Sequence, residues 1–233
     1  MNRPEHTLRT FSPGPGLALA AALLLLACDD PGTPPDGDAA VTCDPLWTVT
    51  TEPGATATAR VEDGSLLLEA DAMWQGPAIE VTQAGLTGSF DATATFEAFT
   101  PGGAGAYLAL VVDPGYPLGS PRAEARVDTY PQDAVSVTIA DGSEAVDTAP
   151  AVVTRGTLRL RVAEGRITAT AEAGGARAEQ TADWSGGTRI GLRLGATTTS
   201  VSGRTTVYVT RFEIAGGGGA VRSDGFACGL IGD

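Results

Sequence analysis

The chain has 233 residues and a formal net charge of −13, with arginine supplying every basic side chain and lysine absent. An acidic surface of this strength repels phosphate backbones and anionic headgroups, so nucleic acid is excluded as a partner. The single histidine, His6, lies close to the N-terminus. The rest of the chain therefore has no imidazole for a hydrolytic triad or a histidine-built zinc site, and no lysine for Schiff-base chemistry.

In chain order, Arg3 and Arg9 precede an apolar run from Leu17 to Ala27. Charged segment, short apolar segment and small residue follow one another as in a secretory signal. The run is shorter than the about 20 residues needed to cross a bilayer. Its ending, Leu25-Leu26-Ala27-Cys28, resembles a bacterial lipobox. That resemblance implies cleavage after residue 27, lipidation of Cys28, and a membrane-anchored protein of the cell envelope facing the periplasm or the cell surface. An ordinary signal with an incidental cysteine is the plainer alternative. Two or more acyl chains, at about 0.8 kcal/mol per buried methylene, make a stable anchor. Residues 28–42 hold prolines, glycines and acids with almost nothing to bury, which is the composition of an extended, self-repelling tether.

Three cysteines are an odd number. With Cys28 carrying lipid, Cys43 and Cys228 remain as a disulfide pair in an oxidising compartment. They stand at the two ends of the expected single domain, residues 43–233. Joining ends so far apart in sequence stabilises by roughly 5 kcal/mol on the chain-entropy argument.

From Cys43 onward, short alternating runs separated by turn residues predict strand after strand and no amphipathic helix. Val61 to Glu69 places Asp63-Gly64 between two apolar stretches, a hairpin signal. Phe90, Ala92, Ala94, Phe96 and Ala98 alternate with Asp91, Thr93, Thr95 and Glu97, which predicts one buried and one wet face. Tyr107 to Val112 is apolar throughout and reads as a strand covered on both sides. Val135, Val137 and Ile139 alternate with Ser136 and Thr138 ahead of a second Asp-Gly turn at Asp141-Gly142. Leu158 to Val162 and Ile167 to Ala171 form a hairpin across Glu164-Gly165. Gly174-Gly175 turns into Ala176 to Ala182, and Arg189 to Leu194 and Thr206 to Ile214 supply two more strands. So many short strands in one domain predict an all-β fold of two packed antiparallel sheets.

The run Leu158-Arg159-Leu160-Arg161-Val162 with its returning Ile167-Thr168-Ala169-Thr170-Ala171, then Arg189-Ile190-Gly191-Leu192 and Val207 to Ile214, resembles the later strands of concanavalin A-like lectins and glucanases, with laminin G-like domains in the same group. Gly88 to Phe96 resembles an earlier strand of that group. The likeness spans roughly residues 46–215 and implies a jelly-roll β-sandwich. It implies no activity, since members of that group differ completely in role.

Glycoside hydrolysis needs only two carboxylates at a set separation. Glucanases of this fold carry acids clustered as Glu-x-Asp-x-Glu on one strand, and no such run occurs here. Glu144 to Asp147 has the wrong spacing, and Asp91 and Glu97 read as a solvated strand face. A non-catalytic module is therefore expected, with polysaccharide the first candidate partner and another envelope protein the second. No cofactor is required. Calcium is the candidate ion, on the loop acids Asp113, Asp128, Asp133 and Asp141, although such acids also simply favour turns. The legume-lectin metal and sugar site uses asparagine, and the only asparagine here is Asn2. Trp74, in a loop-like stretch from Met73 to Pro77, is a candidate sugar platform, with Tyr116 and Tyr130 beside prolines. Each has packing at the sandwich edge as its bland alternative. Trp47 and Trp184 read as core or edge residues.

Overall fold

A computed structural model describes residues 47–113, 122–140, 144–218, 226 and 229–232. Cys28, Cys43, Cys228, Tyr116, Asp141 and the 1–27 and 28–42 segments lie outside the described residues.

The chain runs through β1 (Trp47–Thr51), β2 (Thr56–Glu62), β3 (Ser65–Ala84), β4 (Thr87–Thr100), β5 (Ala106–Asp113), β6 (Arg122–Asp128) and β7 (Ala134–Ala140). It continues with β8 (Glu144–Pro150), β9 (Gly156–Ala163), β10 (Arg166–Ala173), β11 (Ala176–Asp183), β12 (Arg189–Val201), β13 (Thr205–Gly218) and β14 (Leu230–Gly232). The sheet path is β11-β10-β9-β4-β13-β3-β12-β5-β6-β7-β8, with β2 and β1 also paired to β3 and β14 parallel to β1. All other pairings are antiparallel. This is the expected all-β sandwich.

The expectation of uniformly short strands fails at β3, which is 20 residues long. Its first part pairs with β2 and β13 in one sheet, and its second part with β1 and β12 in the other. The stretch read as a loop, Met73 to Pro77, is therefore inside a strand. It is irregular for a local reason. Gly76 has φ 115°, and the register slips next to Pro77, between Leu194 and Gly195 of β12. A bulge accommodates a proline that cannot donate to the ladder and bends the strand toward the second sheet.

Three turns form as their residues require. Asp63-Gly64, Glu164-Gly165 and Gly174-Gly175 all have positive φ at both positions, the geometry that joins twisted antiparallel strands in two residues. In β4 the alternation holds from Phe90 to Phe96 and then breaks. Ala98 sits at φ 51° and is exposed, while Phe99 is buried. A bulge opposite Tyr208 and Thr206 inserts the extra residue and flips the parity.

The core between the sheets contains Leu66, Leu68, Ile79, Val81, Leu108, Leu110, Leu158, Leu160 and Leu192, all with no exposed surface. At one end Trp47 meets Phe212 edge-on at 4.7 Å and Phe226 at 5.0 Å. The first strand and the C-terminal segment are thus locked to the same aromatic cluster, and Trp47 is a core residue. Trp184 packs partly buried against the core in the segment after β11.

Candidate functional site

The outward face of the sheet holding β12, β5, β6 and β7 follows from period two. With Leu108, Leu110 and Val112 in the core, Tyr107, Ala109 and Val111 of β5 point the other way. These three are also buried, as the apolar run predicted, but what covers them is ionic. Register places Arg193 and Arg126 on either side of Ala109, and Gly195 and Asp128 on either side of Tyr107. Small Ala109 leaves room for two arginines to lie across the strand. The Arg126 guanidinium stacks 3.9 Å from the Tyr107 ring centroid, a cation–π contact. Burial pushes the Tyr107 phenol far above its usual pKa.

Gly195 sets the depth of this ring. A Cβ there would meet the Tyr107 hydroxyl at 2.6 Å and the Gly76 carbonyl oxygen at 2.3 Å. The absence of a side chain leaves the space that the ring and its hydroxyl occupy.

Two ion networks surround the stack. Arg193 bonds Glu80 at 2.5 Å and Asp113 at 2.6 Å, while Arg189 binds the same Asp113 through two nitrogens at 3.0 and 3.2 Å. The hydrogen bond that Arg189 donates to Asp113 raises the Arg189 pKa. Along β6, Arg122, Glu124, Arg126 and Asp128 project to one face. Arg126 contacts Glu124 at 3.5 Å and also bonds Asp128 and Thr197. Thr197 donates to Asp128 at 2.9 Å, and the Tyr130 amide donates to the same carboxylate at 2.8 Å. Arg122 approaches Glu124 at 4.0 Å.

Above this floor lies a groove of about 560 Å³. Its ionic side is Tyr107, Arg193 and the β6 charges, its other side Ser136, Thr138, Val146 and Thr148, and its rim Gln75 to Pro77 and Tyr130 to Gln132. The volume falls within the range of small-ligand sites.

Tyr130 is 51% exposed and lines the groove. Trp74 is 66% exposed and stands one residue beyond the rim at Gln75. Asp113 and Asp128 end strands instead of sitting in loops, and both are engaged by arginine. Asp133, in the β6–β7 connection, is exposed, and its carbonyl accepts the Ala151 amide at 3.0 Å. Among the described residues no three His, Cys, Asp or Glu side chains are grouped to hold a metal. Asp91, read as a solvated face, is ion-paired with Arg159, which lowers its pKa.

Tyr107, Arg126, Arg193 and Glu80 escaped sequence reasoning. The alternation Arg122-Ala-Glu124-Ala-Arg126-Val-Asp128 was the available signal, a strand with small residues inward and charges outward. On this strand Arg126 stands between the two carboxylates and contacts both.

Among solved structures, the chain matches a functionally unknown protein from Saccharomyces cerevisiae with TM-score 0.53 and 14% identity, over 73% of this chain and 96% of that one. It matches the legume lectin-like domain from Entamoeba histolytica with TM-score 0.51 and 8% identity, over 74% and 91%. The fold is concanavalin A-like. A prokaryotic beta-1,3-1,4-glucanase (lichenase) derived from a mouse hindgut metagenome aligns at TM-score 0.49 and 11% identity, over 70% and 90%. Comparison with family models and with curated proteins yields no match. At such identities the concanavalin A-like likeness speaks for architecture alone.

Proposed function

We propose that this protein is a non-catalytic carbohydrate-binding module of the bacterial cell envelope, anchored through lipid on Cys28 and closed by a Cys43–Cys228 disulfide. The observation that carries the reading is the groove over Tyr107. It offers fixed guanidinium donors, carboxylate and hydroxyl acceptors and an exposed tyrosine at the rim, a set that suits a polyhydroxylated ligand. The arginine between Glu124 and Asp128 favours binding over hydrolysis. Asp113 and Asp128 already bond arginine, so the proposed binding needs no calcium.

The test is a glycan array with the purified protein, run with calcium and with chelator, beside an Arg193→Ala variant. Binding that survives chelation and weakens at least tenfold in the variant supports the reading; absence of any glycan binding overturns it. Mass spectrometry of the membrane fraction tests the anchor. An unmodified Cys28 would remove it, and free thiols at Cys43 and Cys228 would remove the disulfide.

A further inference from the structure

Two exposed aromatic residues stand at the same end of one sheet, Tyr130 lining the groove and Trp74 one residue beyond its rim. Trp74 lies on β3, opposite Ser200 of β12, and Tyr130 follows directly on β6. Met73 beside Trp74 is buried while Trp74 itself is 66% exposed, so the indole points away from the core. The strand order between them is β3-β12-β5-β6. Three inter-strand steps of about 4.8 Å separate the two positions by roughly 14 Å, the length of about three pyranose rings in an extended chain. A single sugar cannot reach both rings.

The charges beneath this span are matched. The two networks contain four arginines and four carboxylates. An anionic ligand that paired with Arg126 would draw it from Glu124 or Asp128, leaving a buried carboxylate without its cation. It would also approach a chain of net charge −13. A neutral ligand meets neither penalty and can use the remaining donors and acceptors around the hydroxyl-lined side of Ser136, Thr138 and Thr148.

Resting on the carbohydrate reading above, we infer that the site takes an internal stretch of an uncharged linear glycan, about three residues bracketed by Trp74 and Tyr130, and selects against uronate chains and free monosaccharides. The ring faces hold the ends of the segment, and the Tyr107–Arg126 floor reads the hydroxyls between them.

The experiment is calorimetry on the purified protein with linear oligomers of glucose, xylose, mannose and galactose from one to six residues. Oligogalacturonate and oligoalginate serve as charged counterparts, at 50 mM and 500 mM NaCl. Affinity for one neutral series should rise at least tenfold from monomer to trimer, then level off, and stay unchanged between the two salts. Trp74→Ala and Tyr130→Ala should each remove most of that rise, an effect of the size expected for one stacked ring. Both side chains are more than half exposed, so the variants retain the fold, as circular dichroism will verify. Equal affinity for monomer and hexamer, or preference for the uronates with strong salt dependence, overturns this inference while sparing the carbohydrate reading. Failure of every saccharide to bind overturns both and turns attention to a protein partner.

Discussion

Replacing Arg126 by methionine isolates the energetics of the groove floor. Methionine keeps much of the volume over Tyr107 but removes the charge. It leaves Glu124 and Asp128, whose side chains are only 10% and 11% exposed, without the cation that stands between them. Breaking a fully buried pair costs about 3–5 kcal/mol and an exposed one about 0–1 kcal/mol. Arg126 itself is 18% exposed, close to the buried limit, so a loss of about 3 kcal/mol is expected. The cation–π contact with Tyr107 adds about 1 kcal/mol. Urea denaturation followed by tryptophan fluorescence measures the change directly, with buried Trp47 as the reporter of the core. The decisive control is the triple variant Arg126→Met, Glu124→Gln, Asp128→Asn, which carries no charge at any of the three positions and should recover more than half of the loss. A single variant destabilised by less than about 1 kcal/mol would refute the view that this network is desolvated. So would a triple variant no better than the single.

Other expectations concern packing and pH. Gly195→Ala must displace either the Tyr107 ring or the Gly76 carbonyl; overpacking of this kind costs about 1–3 kcal/mol, and saccharide binding in the groove should fall with it. A variant with unchanged melting temperature and unchanged binding would show that the ring does not need the glycine. On the other sheet, Glu69 is buried and its pKa is lowered, first by the hydrogen bond from Arg204 and then by that from Arg60. Because the folded pKa lies below the unfolded one, its contribution is complete above about pH 4.5 and is lost as pH falls through the folded value. Asp91 beside Arg159 has the same sign. Stability should therefore decline on acidification below about pH 4.5. Arg204→Ala brings the folded pKa of Glu69 back toward its unfolded value, so it should lower stability at neutral pH and shrink the acid decline without moving its start; in denaturation curves taken every half unit, a decline of undiminished size would count against the Glu69 pairing.

Much of the architecture was legible in the sequence because period two and turn chemistry are local. Asp63-Gly64, Glu164-Gly165 and Gly174-Gly175 mark their hairpins by the conformations those residues tolerate. The alternations in Phe90 to Phe96, Val135 to Ile139 and Leu158 to Val162 state which face is wet before any partner strand is known. The exclusion of histidine and lysine chemistry is likewise a property of composition.

The long strand, the break of alternation at Ala98 and the groove floor were not legible in the same way. β3 continues through Gly76-Pro77 because strands from two different sheets hold its two parts, and pairing partners distant in sequence leave no local mark. Tyr107 looked like one more apolar residue of a covered strand. Only the register that sets Gly195 and Asp128 beside it, and Arg126 above it, makes it the floor of a site. Asp113 and Asp128 looked like loop acids, and it was the arginines brought from β12 and from β6 itself that gave them partners. Local sequence determined where the chain extends, turns and buries. The meeting of charges from strands tens of residues apart was decided by tertiary structure, since ion pairing depends on distance in space and not on order along the chain.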